Sequence, residues 1–160
     1  MILIGLGSSL PICDMAPAEV VSTAIRAVGV FAPVTARSRL YASPAWPDPT
    51  DPAFVNAVIA VDWAGPPARL LDRLHRVEAA FGRVRSTKNA PRTLDLDLLA
   101  FGEEISAEPP LLPHPGLERR DFVLAPLCDI APDWRSPASG RSARQMLDAL
   151  EKCAAQPISG

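Results

Sequence analysis

The chain has 160 residues, 48% of them hydrophobic and 21% charged, with a formal net charge of −2. That size and balance suit one soluble domain spanning 1–160 with a core of its own, and the near-neutral charge excludes a global basic field of the kind that grips nucleic acid. Cys13, Cys128 and Cys153 are scattered without a C-x-x-C, which fits neither a disulfide framework nor a zinc site, and the short apolar run at Met1–Ile4 is neither signal peptide nor membrane span; a cytoplasmic protein is expected.

Residues 2–7 read as a buried strand ending in a Gly5-Leu6-Gly7-Ser8-Ser9 turn. The turn lacks the lysine of a P-loop and the third glycine of a dinucleotide fingerprint, so neither phosphate cradle applies. Over 17–29, Val20, Val21, Ala24, Ile25 and Val28 recur at helical spacing between Pro17 and Gly29. A strand of mixed alternation is expected over 33–42, followed by a loop set by Pro44, Pro47, Pro49 and Pro52. Phe54 to Trp63 reads as the next strand. Pro66 and Pro67 open a second helix with Leu70, Leu71, Leu74 and Val77 on one face, and Gly82 stops it. Glu78 on that helix reads, by itself, as an ordinary exposed residue. A strand over 94–101 follows, then a turn at Gly102 and a Pro-rich loop over 109–116. Residues 121–131 look apolar and extended or mixed, and 141–152 form a terminal helix. The order β-α-β-β-α-β is that of a ferredoxin-like α+β sandwich, a mainly antiparallel sheet with helices packed on one face.

Chemistry concentrates between Arg83 and Asp97. Arg83, Arg85, Lys88 and Arg92 come without one acidic residue, and the alternating Leu94-Asp95-Leu96-Asp97-Leu98 follows at once. Period-two alternation puts Asp95 and Asp97 on one strand face, with Cα atoms roughly 6–7 Å apart. Two carboxylates that close repel unless a cation lies between them or one is protonated. The pair is either a solvated strand face or, with the basic loop beside it, a seat for a Mg²⁺-bound polyphosphate.

Further along, Phe54 and Asn56 share a strand face and suit either core packing or the stacking and reading of a flat heterocycle. His114, between two prolines, and Arg119 or Arg120 suit phosphate oxygens or plain surface charge.

These pieces fall into a pattern. Leu6-Gly7-Ser8-Ser9, Tyr41-Ala42-Ser43-Pro44 and Phe54-Val55-Asn56 are followed by Gly82-Arg83-Val84-Arg85 and Pro91-Arg92-Thr93-Leu94-Asp95-Leu96-Asp97. Pro113-His114-Pro115 and Arg120-Asp121-Phe122-Val123-Leu124-Ala125-Pro126-Leu127 complete the set. In that order, over residues 2–135, they closely resemble the 6-hydroxymethyl-7,8-dihydropterin pyrophosphokinase family of folate biosynthesis.

The resemblance implies transfer of the β,γ-pyrophosphoryl group of ATP to the pterin hydroxymethyl, with release of AMP. It implies two Mg²⁺ ions held by Asp95 and Asp97. Arg83 and Arg92 match loop arginines that engage the transferring phosphates and close the site as a lid. Arg85, His114 and Arg120 match ATP-phosphate contacts, Arg92 is shared with that set, and Glu78 stands where the family's helix approaches the nucleotide. Ser43, Pro44 and Trp46 would meet the pterin edge, Asn56 would hydrogen-bond it, and Phe54 and Phe122 would sandwich its ring. The implied partners are ATP and a pterin, with no nucleic acid and no membrane, in a protein expected to be a monomer. An RNA-binding ferredoxin-like module and a Mg²⁺-dependent nuclease or phosphohydrolase are the competing readings. The acidic pair and near-neutral charge speak against the first, and phosphate release from ATP without a pterin would support the second.

Overall fold

The computed structural model of the chain describes residues 1–45, 48–82 and 93–158. One antiparallel sheet holds β1 (Ile2–Ser8), β2 (Val34–Arg37), β3 (Tyr41–Ser43), β4 (Phe54–Val61), β5 (Asp95–Phe101) and β6 (Gln156–Pro157). Its spatial order is β5-β1-β4-β3-β6, with β2 also paired to β4. Counting β2 and β3 as one bent strand, the four main strands run fourth, first, third, second. That is the order of the ferredoxin-like sandwich expected from sequence.

The bend explains why 33–42 is not one strand. Ser38 is buried, its N–H donates to the Val58 carbonyl at 2.9 Å, and its hydroxyl accepts from the Val58 N–H at 3.0 Å. The hydroxyl replaces a ladder partner and breaks the run into β2 and β3.

Helix α1 (Pro17–Gly29) and helix α2 (Pro67–Ala80) cover one face of the sheet. Val20, Val21, Ile25, Leu70, Leu74 and Val77 pack there against Ile4, Leu6, Ile59, Leu96 and Leu98. Fully burying each such side chain is worth about 1.5–3 kcal/mol.

The other face is not left open. Helix α3 (Asp121–Ile130) and helix α4 (Ala143–Asp148) set Val123, Leu124, Leu127 and Met146 over Leu3, Val58 and Leu99. Residues 121–131 are therefore helical rather than extended. Val123 to Cys128 are all buried, so no polar stripe marks the helical period, and Pro126 inside the helix withholds an N–H that a regular helix would use. The terminal helix is shorter than 141–152. It starts at a capping box between Ser142 and Gln145 and ends at Asp148. The chain then returns to add β6 to the edge of β3.

Candidate functional site

Directly opposed residues of neighbouring strands project from the same face. Gly7 of β1 is paired with Asp95 on one side and Asn56 on the other, and Asn56 is paired with Tyr41. One step along, Gly5 separates Asp97 from Val58. Val58 and Leu99 lie under α3, so Asp95, Asp97, Asn56 and Phe54 belong to the same face as that helix. The sheet thus carries carboxylates at one edge, an amide and an aromatic further in, and glycines between.

The glycines lie inside β1, which runs through Ser8, and not in a turn. A Cβ on Gly7 would stand 3.0 Å from Asn56 Oδ1, and one on Gly5 would stand 3.3 Å from Leu99 Cδ1. Their lack of side chains keeps the floor between Asp95 and Asn56 bare. Sequence reasoning missed this role. The signal was two glycines at period two within an otherwise apolar strand.

On the carboxylate side, Asp95 and Asp97 are half-buried, as the alternation of Leu94 to Leu98 requires. His114 is pinned beside them, its backbone N–H donating to the Leu99 carbonyl at 2.8 Å. Its Nδ1 accepts from the Gly116 N–H at 3.0 Å, so the proton of the neutral ring sits on Nε2. That Nε2 is 3.9 Å from Asp97 Oδ1. Burial, and then the nearby Arg120 guanidinium, hold the imidazole below its ordinary pKa, against the opposing pull of Asp95. His114 therefore offers a directed N–H rather than a positive charge. Among the described residues, no group of three or more His, Cys, Asp or Glu side chains gathers as a metal cage.

On the amide side, Asn56 and Ser43 are both buried and bonded to each other, Asn56 Nδ2 donating to Ser43 Oγ at 2.9 Å. This fixes the amide orientation and turns Oδ1 toward Gly7. Phe54 and Phe122 are half-buried, Phe122 in the first turn of α3, and Pro44 is exposed at the rim. The Arg120 guanidinium carbon lies 5.7 Å from the Phe122 ring centroid, which links the two halves of the site. Arg119, by contrast, is exposed in the 3-10 turn Leu117–Arg119.

Glu78 is not an exposed helix residue. It is 3% exposed, and its Oε2 accepts from the Leu96 N–H at 2.8 Å. Within the described sheet β5 is an edge strand, so this carboxylate satisfies an outward amide midway between Asp95 and Asp97.

Trp46, Arg83, Arg85 and Arg92, with the expected lid, lie outside the described residues. An open groove of about 900 Å³ lined by Phe31, Trp63, Arg69, Arg73 and Arg76 contains none of the candidate residues. It lies beyond Val61, at the opposite end of β4 from Phe54 and Asn56.

Residues 3–132 match the model of a family described as 7,8-dihydro-6-hydroxymethylpterin-pyrophosphokinase. The chain is 35% identical over 159 residues to the 2-amino-4-hydroxy-6-hydroxymethyldihydropteridine pyrophosphokinase of Synechocystis sp., covering 98% of this chain and 80% of the relative. It is 45% identical over 117 residues to the protein of the same name from Pseudomonas aeruginosa, covering 72% of each. Its fold is similar to the crystal structure of wild-type Plasmodium falciparum HPPK-DHPS with STZ-DHP, with a TM-score of 0.67 at 12% identity. That likeness covers 92% of this chain and 40% of the longer one.

Proposed function

The chain belongs to the 7,8-dihydro-6-hydroxymethylpterin-pyrophosphokinase family, and on that premise we propose that its reaction runs on the sheet face shared by Asp95, Gly7 and Asn56, with ATP toward β5 and the pterin toward β4 and β3. The enzyme is an ATP-dependent pyrophosphokinase that moves a pyrophosphoryl group from ATP to hydroxymethyldihydropterin in folate synthesis. The observation that supports the site proposal is the register, which sets the Asp95 carboxylate, a bare glycine and the Asn56 amide in one row.

Such a transfer asks the protein for positioning and charge neutralisation rather than a covalent nucleophile. The pterin hydroxymethyl oxygen bonds to the β-phosphorus as the bond from that phosphorus to the α-phosphate oxygen breaks, and AMP leaves. Asp95 and Asp97 would hold two Mg²⁺ ions. Mg²⁺ takes few protein carboxylates and completes its shell with phosphate oxygens and water, so two aspartates above a glycine floor suit it without a third protein ligand. When bound, Mg²⁺ would neutralise phosphate oxygens and polarise the acceptor hydroxyl. His114 donates from Nε2 to a phosphate oxygen and Arg120 adds charge. Arg83, Arg85 and Arg92 engage the phosphates, Arg83 and Arg92 on the transferring group.

On the pterin side, Phe54 and Phe122 flank the ring, while Asn56, oriented by Ser43, reads its edge. Pro44 and Trp46 contribute backbone contacts to the pterin edge. Glu78 serves the ATP side by bracing β5. No helix among the described residues is long and apolar enough to cross a membrane. A cytoplasmic monomer is the proposed working form.

The test is an assay with ATP, Mg²⁺ and 6-hydroxymethyl-7,8-dihydropterin that resolves AMP from ADP. AMP formed only in the presence of pterin is expected. ADP would mean attack at the γ-phosphate, and phosphate release without pterin would mean a hydrolase.

A further inference from the structure

The chain beyond residue 132, where the family match ends, returns to the pterin side. The N–H groups of Ala154 and Ala155 both donate to Asp121 Oδ2, at 2.6 and 3.0 Å. The other oxygen of that carboxylate accepts from the Phe122 N–H at 2.8 Å. The chain then becomes β6, with Gln156 opposite Ala42 and Pro157 opposite Tyr41, and the Ile158 N–H donates to the Leu40 carbonyl at 2.9 Å. One short segment therefore ties the first turn of α3, which carries Phe122, to β3, which carries Ser43.

The far end of α3 is tied to the same strand by different means. Asp129 accepts from the Arg39 backbone and guanidinium and from the Tyr41 hydroxyl at 2.8 Å. A helix fixed to one strand at both ends keeps both its height and its tilt over the sheet.

The segment adds little to the core. Between Glu151 and Ile158 only Ala155 is buried, against Tyr41 and Ala125 with Phe122 and Leu147 beside them. The two large apolar clusters do not include it.

We propose that residues 154–158 are a positioning strap that, through Asp121, sets the gap between Phe122 and the β3–β4 floor and so governs affinity for the flat pterin ring. This rests on the reading that Phe54 and Phe122 flank that ring. Among the described residues the strap hydrogen-bonds to no group assigned to ATP, so its larger effect falls on the pterin.

The experiment compares four proteins: wild type, a chain ending at Cys153, Asp121→Asn, and Phe122→Ala. Each is titrated calorimetrically with a non-hydrolysable ATP analogue plus Mg²⁺, and then with 6-hydroxymethylpterin in the presence of that analogue. Shortening the chain should raise the pterin Kd about tenfold, a change equivalent to 1.4 kcal/mol. Asp121→Asn, which keeps one acceptor oxygen, should raise it about threefold, because part of the hydrogen bonding survives. Analogue affinity should change less than about twofold in both, with cooperative melting retained. An unchanged pterin Kd, or equal weakening of both ligands, would overturn the strap. If the shortened chain does not fold, Asp121→Asn decides by the same criterion. If Phe122→Ala leaves pterin binding intact, the ring-flanking reading itself fails; if Phe122→Ala weakens it and the strap variants do not, the strap alone fails.

Discussion

The two faces of this sheet are made by the same strands and present opposite surfaces. Toward α1 and α2, β1, β4 and β5 present Ile4, Leu6, Ile59, Leu96 and Leu98, closed over by helices. Toward α3, the same strands are apolar at Leu3, Val58, Ala60, Leu99 and Ala100, and beyond these they present Asp95, Asp97, Gly5, Gly7, Asn56 and Phe54. Alternation lets one residue stabilise the strand while its neighbour faces the other side of the sheet, so the leucines of L-D-L-D-L hold the aspartates in place. Stability and turnover should separate residue by residue along β5.

Asp97→Ala gives the sharpest contrast: turnover should fall at least about a thousandfold, since charge stabilisation in the transition state is the largest single contribution. The melting temperature of that variant should stay near wild type, read by thermal denaturation. Leu96→Ala should do the reverse, losing about 2–5 kcal/mol of stability while the folded fraction still turns over. Denaturant titration alongside specific activity would show it, and a variant that loses both equally would break the division between faces. Gly7→Ala places a methyl group 3.0 Å from Asn56 Oδ1. It should raise the pterin KM about tenfold with the ATP KM unchanged, a cost of roughly 1.4 kcal/mol. A uniform loss of both would mean that the glycine serves the strand and not the floor.

The smallest effect concerns the clamp that holds α3 to β3. Burial, and then the hydrogen bond to Asp129, push the Tyr41 phenol up to about 12. A folded pKa above the unfolded value of about 10 gives stability that is complete below pH 10 and is lost as pH rises through the folded pKa. Thermal melts across that window should show the loss in wild type and a flatter profile in Tyr41→Phe. Identical profiles would remove Tyr41 from the clamp.

The sequence exposed those parts of the molecule whose two sides differ. α1 and α2 have a wet side and a dry side, so their period is visible, and β5 alternates because one face is core. α3 is hidden because it is buried nearly all round and carries Pro126. Glu78 is hidden because a carboxylate in a helix reads as solvated, while its burial depends on an amide of an edge strand 18 residues away. Gly5 and Gly7 were visible but misread as a turn, since their use lies in what stands across the strand. The strap is invisible for another reason. A two-residue strand has no period, and Asp121 gives no local sign that the amides of Ala154 and Ala155 come to it. The motif set did single out Asp95 and Asn56, which the register brings into one row across Gly7.

The most direct test of that face is a crystal structure with Mn²⁺ in place of Mg²⁺, a non-hydrolysable ATP analogue and 6-hydroxymethylpterin, with the metal located by anomalous scattering. The account predicts metal on the carboxylates of Asp95 and Asp97 and the pterin between Phe54 and Phe122 with its edge on Asn56. Ligands bound elsewhere, such as in the groove of Trp63 and Arg73, with those aspartates free of metal, would contradict it.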